Sequence, residues 1–277
     1  MKSFLIKLGV IALVIVGCFY ICLTIWGTWH DEWSGYGSGV YVSDGVCNIA
    51  TVAVVGDLAT FGTNLDEEGE DVISTTMSDT LSAIGNAEQD PNIQGIMFLV
   101  DSSGGSPSAG MMIADELKTS TLPSAAFVFD IAASAAYLAA SGADTVIASP
   151  MADVGSIGVT MSYLQNTKQN ADSGLEYIEL ASAKFKDSGS PDRPLTSEEK
   201  ALFQRDLDLA HGEFVRMISE NRNLQKDEVA KLADGTTLPA PLALEKKLID
   251  AIGNKETARE WFANELNLPP EEVIFCQ

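Results

Sequence analysis

The stretch Ala132-Ala133-Ser134-Ala135-Ala136-Tyr137 follows a short apolar run, Ala125 to Phe129, and opens an alanine-rich segment. A serine at such a strand-to-helix turn presents its hydroxyl beyond the sheet edge, where the next N–H can stabilise a developing oxyanion. The competing reading makes Ser134 a helix N-cap in a seam of small residues. Ser141, two helical turns further on, is a rival serine, but it would lie within or past the helix rather than at its mouth. A second turn, Asp101-Ser102-Ser103-Gly104-Gly105-Ser106-Pro107, follows another apolar run, Ile96 to Val100. Its two glycines let backbone N–H groups turn toward an oxyanion or a phosphate. Taken alone, an ordinary strand-to-helix connection is the default for such a turn. No lysine follows in the GxxxxGK[ST] pattern, so an ATP-binding module has little support.

A nucleophilic serine needs a base. The chain has two histidines, His30 beside a long apolar N-terminal segment and His211 inside a helical pattern, where a solvated or packing role is the default. A lysine is the better candidate. Ala181-Ser182-Ala183-Lys184-Phe185-Lys186-Asp187 offers two, and in an extended segment Lys184 and Lys186 share one face with Phe185 opposite. Most lysines are solvated surface groups. A free lysine, with a pKa near 10.4, is neutral in only about one molecule in 2,500 at pH 7, whereas a working base lies at about 7–8. Lowering the pKa by roughly 3 corresponds to about 4 kcal/mol, which burial among apolar groups can supply. A dyad built on an exposed lysine would be nearly idle.

Alternating strands and helices would carry these turns. Ile49 to Val55, Ile96 to Val100, Ala125 to Phe129 and Thr145 to Ala148 read as buried strands, and Leu175 to Leu180 as a short one. Helical spacing covers Asp71 to Ala87 and Ser108 to Lys118. After the loop 187–195, Thr196-Ser197-Glu198-Glu199 has capping-box spacing and opens a long helix to about Asn221. Smaller helices are predicted over 226–233 and 255–266. Strands separated by helices imply βαβ units, so the expected fold class is one α/β domain with a mainly parallel sheet and flanking helices.

Composition bounds the partners. Of 277 residues, 17 are Lys or Arg and 39 are Asp or Glu, a formal net charge of −22. Phosphate recognition needs clustered cations, so nucleic-acid binding is not expected. The four cysteines form no CxxC pair and histidines are scarce, so no metal site is expected either.

Leu8 to Gly27 contains no charged residue, the length a membrane-spanning helix needs. Lys2 and Lys7 precede it, while Asp31 and Glu32 follow at once and no further Lys or Arg appears before Lys118. That asymmetry predicts a cytoplasmic N-terminus and an extracytoplasmic domain, with Trp26, Trp29 and Trp33 as an interfacial belt. No small-residue cleavage site closes the segment. Ile15-Val16-Gly17-Cys18 loosely resembles a lipoprotein box, but the apolar run continues past it. The expected organisation is an anchor over 1–27, a Gly/Ser-bearing linker over 28–46 and a folded domain over 47–277. On that topology Cys47 and Cys276 face an oxidising compartment and can pair.

The order of these features resembles the bacterial signal peptide peptidase A family, membrane-anchored serine proteases with a Ser–Lys dyad and the fold of the Clp protease and crotonase superfamily. The resemblance runs from about Ala50 to Gly253. The family's S-x-G-G turn is matched by Ser102-Ser103-Gly104-Gly105, and its A-S-G-G-Y motif by Ala133-Ser134-Ala135-Ala136-Tyr137. Gly155-Ser156-Ile157-Gly158-Val159 matches G-S-[IL]-G-V, and the S-G-x-x-K-[DS] context stands as Ser182-Ala183-Lys184-Phe185-Lys186-Asp187. The T-x-E-E start at 196–199 and Leu248-Ile249-Asp250-Ala251-Ile252-Gly253 complete the series.

The resemblance implies Ser134 as nucleophile, Lys186 as general base and Ser156 as the hydroxyl that orients the lysine. It also implies oxyanion donors at Gly105 and Ala135, with Gly104 shaping the turn, and Lys184 as second choice for the base. It further implies a homo-oligomer acting without a cofactor on signal-peptide remnants or other membrane-released peptides, in the cytoplasmic membrane. Whether Ser134 and Lys186 pair within one subunit is left open. Ala135-Ala136 departs from the usual Gly-Gly, and a positive φ there would strain an alanine. Two other outcomes remain for the same fold: a membrane-anchored scaffold without catalysis, and a crotonase-like acyl-coenzyme A enzyme that uses the oxyanion turn without Ser134.

Overall fold

The structure is a computed structural model that describes residues 45–62 and 74–276. The expected anchor over 1–27 and nearly all of the linker lie outside the described residues. Among the described residues no helix is long and apolar enough to cross a membrane.

Long apolar runs form the sheet centre. Strands β1 (Ile49–Ala59), β3 (Gly95–Gly105), β4 (Ser124–Ala133) and β5 (Thr145–Ala148) lie side by side, with β2 (Ser74–Thr76) outside β1 and β8 (Ala251–Ile252) outside β5. The second half of β4 leaves β5 and pairs instead with β6 (Asp153–Gly155), which pairs with β7 (Thr237–Pro239). Every pairing is parallel except β6–β7.

Parallel strands covered on both faces need apolar side chains at every position. In β3, Ile96, Phe98 and Val100 face one layer while Met97 and Leu99 face the other, and β1, β4 and β5 alternate in the same way. The first layer contains α1 (Met77–Gln89), α2 (Pro107–Thr119), α3 (Ala135–Ala140) and the C-terminal half of α5 (Ser197–Asn221). The second is closed by α8 (Lys255–Leu266), through Ala258, Phe262 and Ala263. The short helices α4 (Thr167–Asp172), α6 (Lys226–Leu232) and α7 (Ala240–Glu245) complete the described elements, besides one 3-10 turn.

The alanine-rich stretch now has a reason. All of α3 is buried, and it packs so closely on α2 that a Cβ at Gly110 would lie 2.3 Å from the Ala135 carbonyl oxygen. Larger side chains would push the two helices apart.

Three expectations fail. The helix expected from Asp71 begins only at Met77, because Ser74–Thr76 pair with β1 as a strand, and 71–73 lie outside the described residues. Leu175 to Leu180 is not a strand: it is irregular and exposed along its length, because its apolar residues find no covering surface among the described residues. Residues 182–189 form turns, so Lys184 and Lys186 do not share a strand face. Cys47 and Cys276 form a disulfide across a sequence separation of 229, both buried.

Candidate active site

The site lies where β3 and β4 end. Ser102 is buried, donates its hydroxyl to the Gly56 carbonyl at 2.6 Å and accepts the Gly104 N–H at 3.1 Å, which fixes the glycine turn. Gly104 (φ 111°) and Gly105 (φ 144°) both take conformations that L-residues avoid. A Cβ at Gly104 would lie 2.9 Å from Ser134 Cβ and 3.2 Å from the Ala135 nitrogen, so this turn rests directly against the serine turn. At Gly105 it would lie 2.2 Å from the Leu58 carbonyl oxygen.

Ser134 sits at φ 53°, ψ −125°. This is the first central position of a type II′ turn, where glycine dominates, and a serine held there stores local strain. Its backbone N–H donates to the Gly155 carbonyl at 2.8 Å, which ties it to β6. Its side chain makes no capping hydrogen bond, so the N-cap reading fails. Ala135 and Ala136 lie within α3, and neither has positive φ. The concern over the missing glycines is therefore resolved: the strained position is the serine itself. As first residue of the helix, Ala135 has an N–H with no acceptor inside it.

Tyr137 braces the turn from below. It is fully buried and donates to the Leu248 carbonyl at 2.8 Å, and burial pushes its phenol pKa up. Arg222 closes this support by pairing with Asp250 at 2.7 Å. Ser141 is buried and donates to the Leu138 carbonyl at 2.6 Å, which removes it as a rival nucleophile.

Ser134, Ser156, Ser103 and Gly105 line one open cleft of about 700 Å³. Ser156 has φ 51° and donates its hydroxyl to the Gly235 carbonyl at 3.0 Å, leaving its oxygen lone pairs to accept from a cation. The far wall comes from the middle of α5, through Gln204, Leu207, Asp208 and His211. These four fall at i, i+3, i+4 and i+7, a helical stripe visible in the sequence but overlooked there. His211 is thus a cleft residue on its helix rather than a merely solvated or packing one, although its Nε2 is buried and makes no hydrogen bond among the described residues. Asp208 and Asp234 are the charged groups of the cleft, and hydrogen bonds from Thr236 hold the Asp234 carboxyl below its usual range. No lysine or arginine among the described residues lines it.

Lys186 does not line this cleft. It is exposed on the turn segment, so the described residues do not supply the dry surroundings a lysine base requires. Lys184 is engaged elsewhere, in an exposed ion pair with Glu198 at 2.7 Å. Among the described residues, no group of three His, Cys, Asp or Glu side chains converges to hold a metal ion.

A parallel α/β sheet with a strained serine facing a glycine turn is a hydrolase-like arrangement. Comparison with known proteins gives the family: residues 116–269 match peptidase family S49, and the chain belongs to it. It is 29% identical over 196 residues to a putative protease of Methanocaldococcus jannaschii, a match covering 70% of this chain and 63% of that protein. It is also 29% identical over 197 residues to a putative signal peptide peptidase SppA of Enterococcus faecium, covering 70% and 57%. Protease 4 of Haemophilus influenzae is 28% identical over 203 residues, 70% of this chain and 32% of the relative. The chain therefore spans about three fifths of the first of these relatives and a third of the last. Among solved structures, a ClpP1 mutant from Listeria monocytogenes aligns with a TM-score of 0.48 and 15% identity, covering 74% of this chain and 92% of that one.

Proposed function

We propose that this S49 peptidase is a serine endopeptidase with a Ser134–Lys186 dyad, on a Clp protease and crotonase-type scaffold, in which the lysine is delivered by a neighbouring copy of the chain. The observation that carries the reading is Ser134 itself. Its hydroxyl is presented at the mouth of a cleft, from a strained and fully braced turn, with no capping bond to occupy it.

The chemistry balances with one amine. Neutral Lys186 takes the Ser134 Oγ proton as Oγ attacks the scissile carbonyl, and the Gly105 and Ala135 N–H groups stabilise the oxyanion. The ammonium returns its proton to the leaving amine. Water then hydrolyses the acyl ester by the same exchange in reverse. Ser156 accepts from the lysine and orients it.

Three observations support delivery by another copy. Lys186 is exposed and absent from its own cleft. That cleft carries Asp208 and Asp234 with no lysine or arginine among the described residues, which favours an incoming positive group. The segment before Lys186 exposes Leu164 (83%), Ile178 (72%) and Leu180 (96%), more apolar surface in one arm than an isolated chain is expected to leave uncovered. A neighbour seated there would also desolvate the amine.

The proposed setting is the cytoplasmic membrane, with Leu8 to Gly27 as anchor, the peptidase domain outside it, and signal-peptide remnants or other membrane-released peptides as substrates. The Cys47–Cys276 disulfide fits an oxidising compartment.

The test uses the full chain. Ser134→Ala and Lys186→Ala should each be inactive, with fluorophosphonate labelling lost in the first, and co-assembly of the two should regain peptide cleavage. Cleavage retained by Ser134→Ala would overturn the nucleophile. No recovery on co-assembly would overturn delivery by a neighbour. If Lys186→Ala keeps its activity while His211→Gln loses it, the base is His211.

A further inference from the structure

Residues 171–186 are all exposed, so no hydrophobic burial holds the segment that presents Lys186. Besides the exposed Lys184–Glu198 pair, which solvent screens, what ties its end to α5 is one guanidinium. Arg193 Nε donates to Asp187 Oδ2 at 3.1 Å and lies 3.2 Å from Glu179 Oε2. Its Nη2 donates to the Asp187 backbone carbonyl at 3.0 Å and to Glu199 Oε1 at 2.6 Å, while Nη1 donates to Glu199 Oε2 at 3.0 Å. Glu199 is a firm base for this fork. It is 2% exposed and accepts the Thr196 N–H and hydroxyl in the capping box that opens α5. The residue gripped at the other end, through both backbone and side chain, is Asp187, the immediate neighbour of Lys186. An unbroken chain of charge-assisted hydrogen bonds therefore runs from α5, which also forms the cleft wall, to the peptide unit next to the lysine.

We infer that Arg193 is a positioning residue for Lys186, setting the height and direction at which the loop offers its amine to Ser134. The inference rests on the Ser134–Lys186 reading. Three carboxylates, Glu179, Asp187 and Glu199, converge on this single cation. Without it they repel one another, and Glu199 is left buried and unpaired, so the loop loses its register on α5. Lysine cannot take the place of arginine, because a point charge cannot make a bidentate bond to Glu199 and still reach two acceptors on Asp187. The hydrogen bond from Asn170 Nδ2 to Asp192 at 2.8 Å and that from the Asn166 N–H to Pro191 at 2.7 Å hold the adjoining loop to α4, so loss of Arg193 releases the Lys186 side of the loop first.

Full-length Arg193→Ala should cleave peptide with kcat lowered about 10- to 100-fold and KM nearly unchanged, the signature of a misplaced catalytic group. Added guanidinium ion should restore kcat in Arg193→Ala and do nothing for Lys186→Ala. Arg193→Lys, which keeps the charge, should show the same kcat loss and remain folded by circular dichroism, which covers the case in which Arg193→Ala does not fold. In mixed assemblies the substitution should lower recovered activity by the same factor when carried on the Ser134→Ala chain, which supplies the lysine, and be tolerated on the Lys186→Ala chain. Unaltered kcat in Arg193→Lys, or guanidinium without effect on a folded Arg193→Ala, overturns the inference. Equal loss from either chain overturns it also. Full activity in Lys186→Ala would instead remove the reading beneath it.

Discussion

Ser134→Gly should be more stable than Ser134→Ala, although both variants lack the nucleophile. At φ 53°, ψ −125° a non-glycine residue carries strain of about 1–3 kcal/mol. Ser134→Ala keeps that strain and loses a hydroxyl that makes no cap bond, so it should lie within about 0.5 kcal/mol of the parent. Glycine removes the strain but adds about 0.4–1 kcal/mol of unfolded-chain entropy to be lost on folding. Taking the midpoints, the net gain is about 1.3 kcal/mol, or roughly 3–5 °C in Tm for a domain of this size. Thermal melts of the three full-length chains, followed by circular dichroism at one scan rate, read the difference directly. A Ser134→Gly protein that melts at or below Ser134→Ala would refute the claim that the serine is held against its backbone preference.

Two further outcomes concern the frame around the site. Replacing both Cys47 and Cys276 with alanine should lower stability by up to about 5 kcal/mol, since the bond closes a loop with a sequence separation of 229. Reductant should then lower the Tm of the parent but not of the double variant, and equal melts for the two would refute the assignment. The second outcome concerns pH. Hydrogen bonds from Arg193 hold the Glu199 carboxyl well below its usual range. A depressed folded-state pKa gives stability that is present above the unfolded value near 4.3 and lost as pH falls through the folded one. Acid titration of stability should therefore be steeper below about pH 4 in the parent than in Glu199→Gln, and parallel curves would count against the clamp.

The sheet was legible because its central strands are buried on both faces and read as continuous apolar runs, and Thr145–Ala148 was found to the residue. The strands β2, β6, β7 and β8 escaped notice, being two or three residues long with no run to betray them, and β2 was absorbed into the helix expected from Asp71. Leu175 to Leu180 misled for a physical reason. Apolar β-formers signal burial, and here their surface is left exposed by the chain itself. The two turns that meet at Ser134 were readable from glycine and serine placement, but the positive φ fell on Ser134 rather than on Ala135 or Ala136, because a turn type fixes which position is strained and composition does not. His211 was set aside as a helix residue. Its helix was right, yet only the stripe from Gln204 to His211 could have told which face meets the cleft.

The two halves of the proposed dyad sit on opposite kinds of structure, and that difference has a consequence. Ser134 is fixed by three neighbouring elements: the buried helix that follows it, a glycine turn so close that a Cβ on Gly104 would lie 2.9 Å from the serine's own, and a backbone bond to β6. Its geometry is therefore set when the chain folds. Lys186 rides on an exposed segment held to α5 mainly through one arginine, and nothing among the described residues keeps it dry. A serine poised in this way costs no reorganisation when a base arrives, which is where preorganisation lowers a barrier. A lysine in water remains an ammonium and abstracts nothing. On the proposed reading, folding alone then yields an idle protein, and activity appears only when another copy covers the arm that carries the lysine.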